Sequence, residues 1–593
     1  MNSRRKVPMR RSSFLAAAAA TVVLLVGGCD LDVENPNAPD APRAFADPAG
    51  LQQLLGGAFR TWVETRGDYF GAMPMTMMAD NYTASWNNAA IRFYNSVGVE
   101  CPSRCGWTNS ATAPEAAGGP SVESQWYGYY TVLSAANDVL VAIAGGLCFD
   151  GNNTPADCAA DNTLTSRNKA IAKMLQGMAL AGIALIYDQG FVVDETTDLS
   201  TPDKVKALEF VTRAEVRDAA LTKFDEAFTE AGLKTWSTDA EWMGVGAGKA
   251  YTNTQIQQVI RTMQAELIAM WPRDAGENTA ANWGQVATFA AAGVSSGTPY
   301  DWEFFIDVTG RECGLDCVKT WGNAIGTGRV DTRVAEMLTT NHVRPWPEPG
   351  GNPCPTVPRD GDLRVGDGSY GPTDNYNGYS TKAKTANAGT DYACSGVAIF
   401  PAARGQYHQS NLQHVRYQHL TYRGENLPGF DGTGQDPFYT RQMNDLLWAE
   451  GLLRGTPSNP VLAAQKINNS RVGRGGLSTL TGAEPTATLL AALQYEQEIE
   501  FMGQGPTAFF NRRRIDGFGV SSRGPAFEPQ TGTPLHMPVP AKEMDVLVRA
   551  SYTFGGPTAP AKFMAPGSAT QETVRDRWRK YQEMKAELKL RRN

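Results

Sequence analysis

Long segments with apolar residues at helical spacing constrain the fold of this chain most strongly. In the segment 168–190, NKAIAKMLQGMALAGIALIYDQG, the residues on one face are Ile171, Met174, Leu175, Met178, Gly182, Leu185 and Ile186. Spacings of three and four place such residues on one side of an α-helix. Similar single stripes occur in 123–146, 212–232, 254–274, 441–455 and 488–505. The sequence therefore predicts a mainly all-α fold.

The ends of two helices can be predicted from local chemistry. Asp47 followed by Pro48 is typical of a helix start, because proline is favoured at the first helical position. Thr212 with Glu215 three residues later forms a capping box. Helices of about twenty residues with small residues in their stripes suggest stacked pairs as in tetratricopeptide arrays. No clean 34-residue period is present, so the predicted repeats are degenerate.

The amino terminus predicts export and lipid attachment. Five basic residues precede an uncharged, apolar stretch that ends at Gly28, as in a secretory signal peptide. Arg10-Arg11 hints at twin-arginine export, but Ser13 lies where that signal needs an apolar residue. Val26-Gly27-Gly28-Cys29 resembles a bacterial lipobox, in which the cysteine thiol carries lipid. The alternative is an ordinary cleavage site with a chance cysteine. We expect no further membrane-spanning segment.

The remaining eight cysteines predict disulfides. They are Cys101, Cys105, Cys148, Cys158, Cys313, Cys317, Cys354 and Cys394. An even number in an exported chain favours disulfides, and proximity along the sequence suggests the pairs 101–105, 148–158, 313–317 and 354–394. Eight cysteines allow 105 pairings, so the pairing stays open. Metal binding is the rival interpretation, but the paired C-x2-C spacing of zinc sites is missing.

Charge and composition exclude some functions and outline five regions. The formal net charge of −7 becomes −12 when the five basic residues of the signal leave, which argues against a nucleic-acid partner. The predicted regions are a signal peptide (1–28), an extended tether (29–46), a helical region (47–271), a loop-rich, ligand-facing region (272–440) and a second helical region (441–593). The fourth is rich in Gly, Pro, Asn, Asp and Tyr, and loops of that length are uncommon unless they are functional or disordered. The suggested 354–394 disulfide favours a functional loop.

Several enzyme-like patterns do not survive inspection. Gly293-Val294-Ser295-Ser296-Gly297 matches G-x-S-x-G, but an alanine-rich run precedes it and Pro299 follows. The segment 244–250, GVGAGKA, lacks the first glycine and the hydroxyl residue of a phosphate-binding loop. His408, His414 and His419 are not spaced as a helical metal pair. Asp301, Glu303 and Asp307 contain carboxylates of the kind glycosidases use, but the sequence does not fix their separation. We expect no catalytic residue, metal or cofactor.

An ordered set of segments resembles the SusD/RagB family of outer-membrane nutrient-binding lipoproteins. The set comprises the lipobox cysteine followed by DLDVENPN, LIYDQG, TRAEV, DLLWAEGLLRG with AAQKINNSRVGRGGL, YEQEIEFMGQGPTAFFNRRRIDGF and LHMPVPAKEMDVL. These segments span most of the chain after the signal and follow in the family's order. The resemblance implies a mainly α-helical SusD-like fold with tetratricopeptide-like pairs, and a non-enzymatic protein.

The resemblance also implies partners and a location. A protein of this family is held by lipid on the outer membrane, facing outward, and covers a SusC-like TonB-dependent transporter to which it delivers oligosaccharides or peptides. Two alternatives from other classes are a helical-repeat scaffold of an envelope assembly and a secreted glycoside hydrolase. The sequence departs from the family in its eight additional cysteines and in a basic helix predicted at 572–593, which is either solvated or in contact with acidic lipids or the transporter.

Two loop clusters are the candidate ligand contacts, because a polar oligomer needs flat aromatic faces beside amide and carboxylate groups. The first is DNYTASWNN, from which we select Asn81, Tyr82, Trp86 and Asn87. The second is YDWEFFID, with Tyr300 and Trp302. Each aromatic residue could instead be buried and anchor its loop.

Overall fold

A computed structural model gives the architecture of most of the chain. It describes residues 47–83, 91–95, 109, 122–295, 300–307, 315–323, 328–340, 359–366, 389–394, 410, 412–417, 433–515 and 533–552. The part of the chain from Pro48 onward forms one compact unit. The predicted signal peptide, Cys29 and the tether lie outside the described residues.

The described residues are mainly helical. The helices are α1 (Pro48–Arg66), α2 (Ala72–Met78), α3 (Ile91–Asn95), α4 (Glu123–Ala144), α5 (Pro155–Ala160), α6 (Thr163–Ile186), α7 (Pro202–Lys206), α8 (Arg213–Ala231), α9 (Asn253–Met270), α10 (Ala275–Ala280), α11 (Trp283–Ala291), α12 (Cys317–Gly322), α13 (Thr332–Leu338), α14 (Arg441–Arg454), α15 (Pro460–Arg471), α16 (Thr486–Glu500), α17 (Thr507–Arg513) and α18 (Ala541–Val546). Two short 3-10 helices span Ala240–Met243 and Arg359–Gly361. This confirms the predicted fold class.

Short antiparallel strands join distant parts of the chain. They are β1 (Tyr82–Thr83), β2 (Gln189–Gly190), β3 (Val211–Thr212), β4 (Trp302–Asp307), β5 (Arg329–Val330), β6 (Tyr392–Cys394), β7 (Leu412–His414) and β8 (Thr433–Tyr439). They form the pairs β1–β5, β2–β3, β4–β8 and β6–β7. In the longest pair Phe304 lies opposite Asp436, with an irregularity between Trp302 and Glu303.

Consecutive helices pack side by side in two groups. In the amino-terminal group, α6 lies against α1, α4 and α8, while α9 joins α8 to α11. In the carboxyl-terminal group, α14 contacts α11, α15 and α16. The apolar stripes predicted from the sequence supply these contacts, and Ile171, Leu175 and Ile183 of α6 are buried. The helix pairs expected of tetratricopeptide-like packing are therefore present.

Helix α6 has the length and composition of a membrane span, although the sequence predicts no further spanning segment. By length and composition it could cross a membrane, since its mean hydropathy reaches 1.4 over 18 residues. However, 89% of that window is buried inside the protein, because α1, α4, α8 and α9 pack against it. A helix that is hydrophobic on most sides is expected at the centre of a large core. We therefore interpret α6 as a core helix.

The predicted helix starts are confirmed. Helix α1 begins at Pro48. The Thr212 side chain accepts a hydrogen bond from the Glu215 N–H, and the Glu215 carboxylate accepts one from the Thr212 N–H. Thr252 and Gln255 form a second such box at the start of α9. Capping of this kind satisfies backbone N–H groups that the first helical turn leaves without a partner.

The region 272–440 contains more regular structure than its composition suggested. Helix α11 packs on α14, and β4 pairs with β8 over six residues. Both elements carry buried apolar side chains, among them Val286, Phe304 and Ile306. These elements therefore belong to the core.

One predicted disulfide lies wholly within the described residues. Cys148 and Cys158 are bonded, and they close a ten-residue excursion before α6. Cys317 is also disulfide-bonded. The sulfur atoms of Cys101, Cys105, Cys313, Cys354 and Cys394 lie outside the described part of the structure, so the other three predicted pairs remain predictions.

Candidate ligand-binding site

The first predicted cluster begins at a junction of short strands. Strand β1 pairs with β5, so that Tyr82 lies opposite Val330. The Val330 carbonyl also accepts hydrogen bonds from the backbone and hydroxyl of Ser410, next to β7. The segments 84–90, 341–358, 395–409 and 418–432, which are rich in polar and aromatic residues, start or end close in sequence to these elements. The strands therefore anchor the loops that carry Trp86 and Asn87, which themselves lie outside the described residues.

Tyr82 is a core residue at this junction. Its side chain is 1% exposed, and its hydroxyl is hydrogen-bonded to Nδ1 of His414 at 2.5 Å. Burial raises the pKa of Tyr82 well above its ordinary value. Gly322 of α12 lies against the ring so closely that a Cβ there would be 2.6 Å from Tyr82 Cζ. Tyr82 is thus positioned to hold the loop base and presents no ring face to a ligand.

Asn81 is buried beside a strained residue. Asp80, which precedes it, has a φ of 54°, in the left-handed region, and its carboxylate binds Arg333 at 2.6 Å. Neither polar atom of the Asn81 side chain has a hydrogen-bond partner among the described residues. Residues in sparsely populated backbone regions cluster at functional sites, and a functional role is one explanation for an unpaired buried amide. The adjacent segment 84–90 contains Trp86 and Asn87, so these features lie at the base of the predicted loop.

A network of buried ion pairs supports this junction. Arg364 donates to Glu496 at 2.5 Å and to Asp362 at 2.8 Å. Arg416 binds Glu500 at 2.8 Å, and Arg474 bridges Glu500 and Asp391. Burial alone would raise the pKa of Glu500, but Arg416 and Arg474 lower it to about 2. The charges are therefore compensated in place, which is the condition for stable burial of an ion pair.

The second predicted cluster divides into a buried half and a half-exposed half. Trp302 has no exposed surface and packs with Phe59, Trp62, Phe304 and Tyr439 in an aromatic core. Tyr300 is half-buried, and its hydroxyl donates to the Gln255 carbonyl and the Gln258 side chain. Of the predicted ligand contacts that the structure describes, Tyr300 is therefore the one with surface to offer.

The burial of Asn81, Tyr82 and Trp302 corrects their predicted role as direct ligand contacts. Their apolar surface or amide groups are enclosed by protein, and a side chain with almost no exposed area cannot stack on a sugar without a rearrangement. The alternative stated for these aromatic residues, that they anchor their loops, agrees with the observed packing. The pattern of alternating polar and aromatic residues does not distinguish the two roles, because both use the same residue types.

Helix α12 connects the two clusters. Gly322 touches the Tyr82 ring at one end of this helix, while Lys319 binds Asp436 of β8 at 2.5 Å and Asp316 at 3.0 Å. Strand β8 pairs with β4, which begins at Trp302. Burial raises the pKa of Asp436 to about 7, although Lys319 opposes the shift and Asp316 adds to it. A fully buried cation between two carboxylates thus links the bases of both predicted loops.

The enzyme-like patterns have structural roles where they are described. Gly293 and Val294 follow helix α11, not a strand, and the Val294 N–H donates to the Thr262 hydroxyl at 2.9 Å. In the glycine-rich 244–250 segment, Lys249 forms an ion pair with Glu303. Asp301 binds Arg441, the first residue of α14, and Asp307 accepts a hydrogen bond from Thr433. His414 is buried beside Tyr82, while His408 and His419 lie outside the described residues.

The described residues line two concave features. A cavity of about 20 Å³ near Arg66, Glu266 and Tyr439 has room for about one water molecule. A surface depression of about 530 Å³ is lined by Asp150, Asp157 and Asp161, which already accept hydrogen bonds from nearby backbone N–H groups. Cys148, Asp150 and Cys158 have potential ligand atoms within 4.8 Å of one another, but both sulfur atoms are in the disulfide.

The buried charges are the main feature that the sequence did not reveal. Glu496, Glu498 and Glu500 occur at alternate positions of one helix, and all three are at most 1% exposed. One signal was available: residues two apart lie on different helix faces, so three such glutamates cannot all point to one solvated side. Their partners are far away in sequence, and only the fold shows that Arg364 reaches Glu496.

Comparison with solved structures identifies the fold. A SusD superfamily protein from Parabacteroides distasonis matches with a TM-score of 0.52 at 11% sequence identity, covering 84% of this chain and 97% of that one. Surface glycan-binding protein A from Bacteroides uniformis matches with a TM-score of 0.49 at 13% identity, covering 84% and 98%. A SusD superfamily protein from Bacteroides vulgatus has a TM-score of 0.49 at 12% identity, covering 85% and 97%.

Comparisons of the sequence itself give no match, either with protein-family models or with curated proteins. The fold relationship therefore rests on structure, and it extends over nearly the whole of the Parabacteroides protein. This chain has the fold of the SusD superfamily, as the resemblance of its ordered segments predicted.

Lys319 provides a test of the link between the two loop bases. We expect Lys319→Met to lower the free energy of unfolding by about 3–5 kcal/mol, because Asp316 and Asp436 would lose their buried counter-charge. Urea denaturation followed by circular dichroism measures the change. The matched control is Lys249→Met, whose lysine is half-exposed and pairs with Glu303, so that a loss of about 1 kcal/mol or less is expected. Equal losses in the two variants would contradict a structural role for the buried cation.

The network under the strand junction predicts acid sensitivity. Glu500 of this network and Glu450 of α14, which binds Arg454 and Arg514, both have pKa values lowered to about 2, against an ordinary value of about 4.3 in unfolded chains. Their stabilisation is complete above the unfolded value and is lost as the pH falls from about 4.5 toward 2.

Urea midpoints measured between pH 7 and pH 2.5 should therefore decrease steeply below pH 4.5. In Glu500→Gln this acid-dependent decrease should be smaller, although the variant is less stable at pH 7. The exposed Glu241→Gln variant is the control and should follow the wild-type curve. A Glu500→Gln curve parallel to that of the wild type would exclude Glu500 as a source of the acid dependence.

Proposed function

We propose that this chain is a SusD/RagB-family lipoprotein that binds glycans at the cell surface and delivers them to a SusC-like TonB-dependent transporter. The observation that carries the proposal is the SusD superfamily fold, which covers 84% of the chain. The lipobox at Cys29 and the ordered family-like segments support it independently, because they come from the sequence alone. In this proposal the protein is non-enzymatic, and its lipid anchor holds it on the outward-facing surface of the outer membrane.

The ligand-binding surface is proposed to lie on the loops that leave the strand junction and β4. Trp86 and Asn87 on segment 84–90 supply an aromatic face and an amide, and Tyr300 supplies a second ring. Asn81, Tyr82 and Trp302 position these loops from the interior. Such a division suits a sugar site, since flat rings stack on sugars only when their own orientation is fixed by packing.

Two features of the described residues favour binding over catalysis. The carboxylates proposed as a glycosidase pair are engaged, Asp301 with Arg441 and Glu303 with Lys249. The candidate serine segment follows a helix, so it lacks the strand-to-helix turn that a hydrolase nucleophile uses. Peptides remain the second ligand class, because aromatic and amide groups also bind extended peptides.

The proposal is tested by binding assays on glycan and peptide arrays, followed by calorimetry with each hit. Trp86→Ala and Tyr300→Ala should weaken the affinity of the wild type at least about tenfold, which corresponds to about 1.4 kcal/mol. Trp448→Ala is the control, because Trp448 is a half-exposed tryptophan on α14 outside both clusters, and its affinity should be unchanged.

Other outcomes distinguish the alternatives. If a folded wild type binds no ligand, with or without the SusC-like transporter, the result would favour the scaffold. Release of a cleaved product would favour a glycoside hydrolase. Labelled palmitate should be incorporated into the wild type and not into Cys29→Ser. Equal incorporation would contradict lipid attachment at Cys29 while leaving the ligand proposal to the binding assays.

A further inference from the structure

An exposed apolar patch is formed by two segments that meet at Arg549. Among the described residues it consists of Val192, Leu199, Val205, Val546 and Val548, with exposures from 37% to 89%. Arg549 joins its two halves, since this side chain donates to the Leu208 carbonyl and the Glu209 carboxylate. Helix α7, which carries Val205, has no buried residue. Exposed apolar surface gathered where two segments meet is typical of an interaction site.

Val548 has an unfavourable backbone conformation that no packing of its own side chain offsets. It follows α18 with a φ of 57°. The Val548 N–H donates to the Asp545 carbonyl and the Arg549 N–H to the Met544 carbonyl, which together form a Schellman motif. Glycine is usual at that position, and a β-branched residue there is an outlier. Because Val548 is 89% exposed, it gains no packing within the described residues in return.

The sequence that follows supplies a complementary apolar face. Residues 572–593 place Val574, Trp578, Tyr581, Met584 and Leu588 at spacings of three and four, which is the pattern of an amphipathic helix. Eight basic and four acidic residues give this segment a net charge of +4. Since the whole chain carries −7, the remaining residues 1–571 carry −11. The segment 572–593 and the rest of the chain therefore have net charges of opposite sign, which favours their association.

The connection between patch and segment is short enough to favour contact within one molecule. The described chain stops at Tyr552, four residues beyond Val548. The intervening residues 553–571 are rich in glycine, alanine and proline, and a flexible linker of that length has a typical span of roughly 25 Å. A linker of this kind holds the segment 572–593 near the patch at an effective concentration of about a millimolar, so even a weak apolar contact is populated.

We propose that the segment 572–593 of this chain docks as an amphipathic helix on the patch formed by Val192, Leu199, Val205, Val546 and Val548. The apolar stripe covers the valines, and the basic side chains extend toward the acidic body. The strained Val548 then gains its packing from the docked segment. This proposal does not depend on the ligand or on the proposed nutrient-binding function.

Hydrogen exchange of the full chain, measured by mass spectrometry, tests the docking. In the wild type, amides of 574–588 should exchange at least about tenfold more slowly than in the isolated 572–593 peptide. The double variant Val546→Ser/Val548→Gly should bring them to the peptide rate. Glycine suits the position of Val548, so this variant is expected to fold. Conversely, Trp578→Ser should speed exchange at 541–550.

The matched control is Val245→Ser/Val461→Ser, which removes two exposed valines outside the patch and should leave the tail protected. Wild-type exchange at the peptide rate, or protection that survives the patch variant, would overturn the proposal. Protection that rises with protein concentration alongside a dimer in light scattering would assign the patch to a second copy. Protection that requires phosphatidylglycerol vesicles would assign the tail to lipid. Either result would also overturn it.

Discussion

The buried glutamates of α16 are the constraint on which much of the architecture depends. Glu496 binds Arg364, Glu498 binds Arg512, and Glu500 binds both Arg416 and Arg474. Each partner belongs to a different segment, and Arg512 also donates to the Ala79 carbonyl at the end of α2. Since removing one partner of a buried pair leaves a charge without compensation, these segments must occupy their places together. These buried ion pairs therefore fix the position of the strand junction.

The buried ion pairs explain how short strands can be held in place in a mainly helical protein. The strands are only two to seven residues long, and short isolated ribbons are marginal on their own. Here they are fastened by packed residues: Tyr82 of β1 contacts His414 of β7 and Gly322 of α12, and Lys319 of α12 binds Asp436 of β8. Loops that start from such anchors can vary in sequence while their bases remain fixed, which suits a protein proposed to bind extended polar ligands.

The helices were predictable from the sequence, and the loop bases were not. Helix α6 and the Thr212 cap follow from spacing and capping chemistry, which are local properties. The burial of Trp302 and Tyr82 depends on contacts with residues more than a hundred positions away, such as Tyr439 and His414. A polar, aromatic-rich segment has the same appearance whether its rings face solvent or the core, so only the packed structure assigned Tyr300 to the surface and Trp302 to the interior.

The distances in sequence between the paired charges also bear on how the chain reaches its native state. Glu498 and Arg512 are 14 residues apart, but Glu496 and Arg364 are separated by 132. A helix carrying three glutamates cannot enter an apolar interior alone, because each unpaired carboxylate would cost several kcal/mol of desolvation. Burial of α16 must therefore await the arrival of chain made much earlier during synthesis.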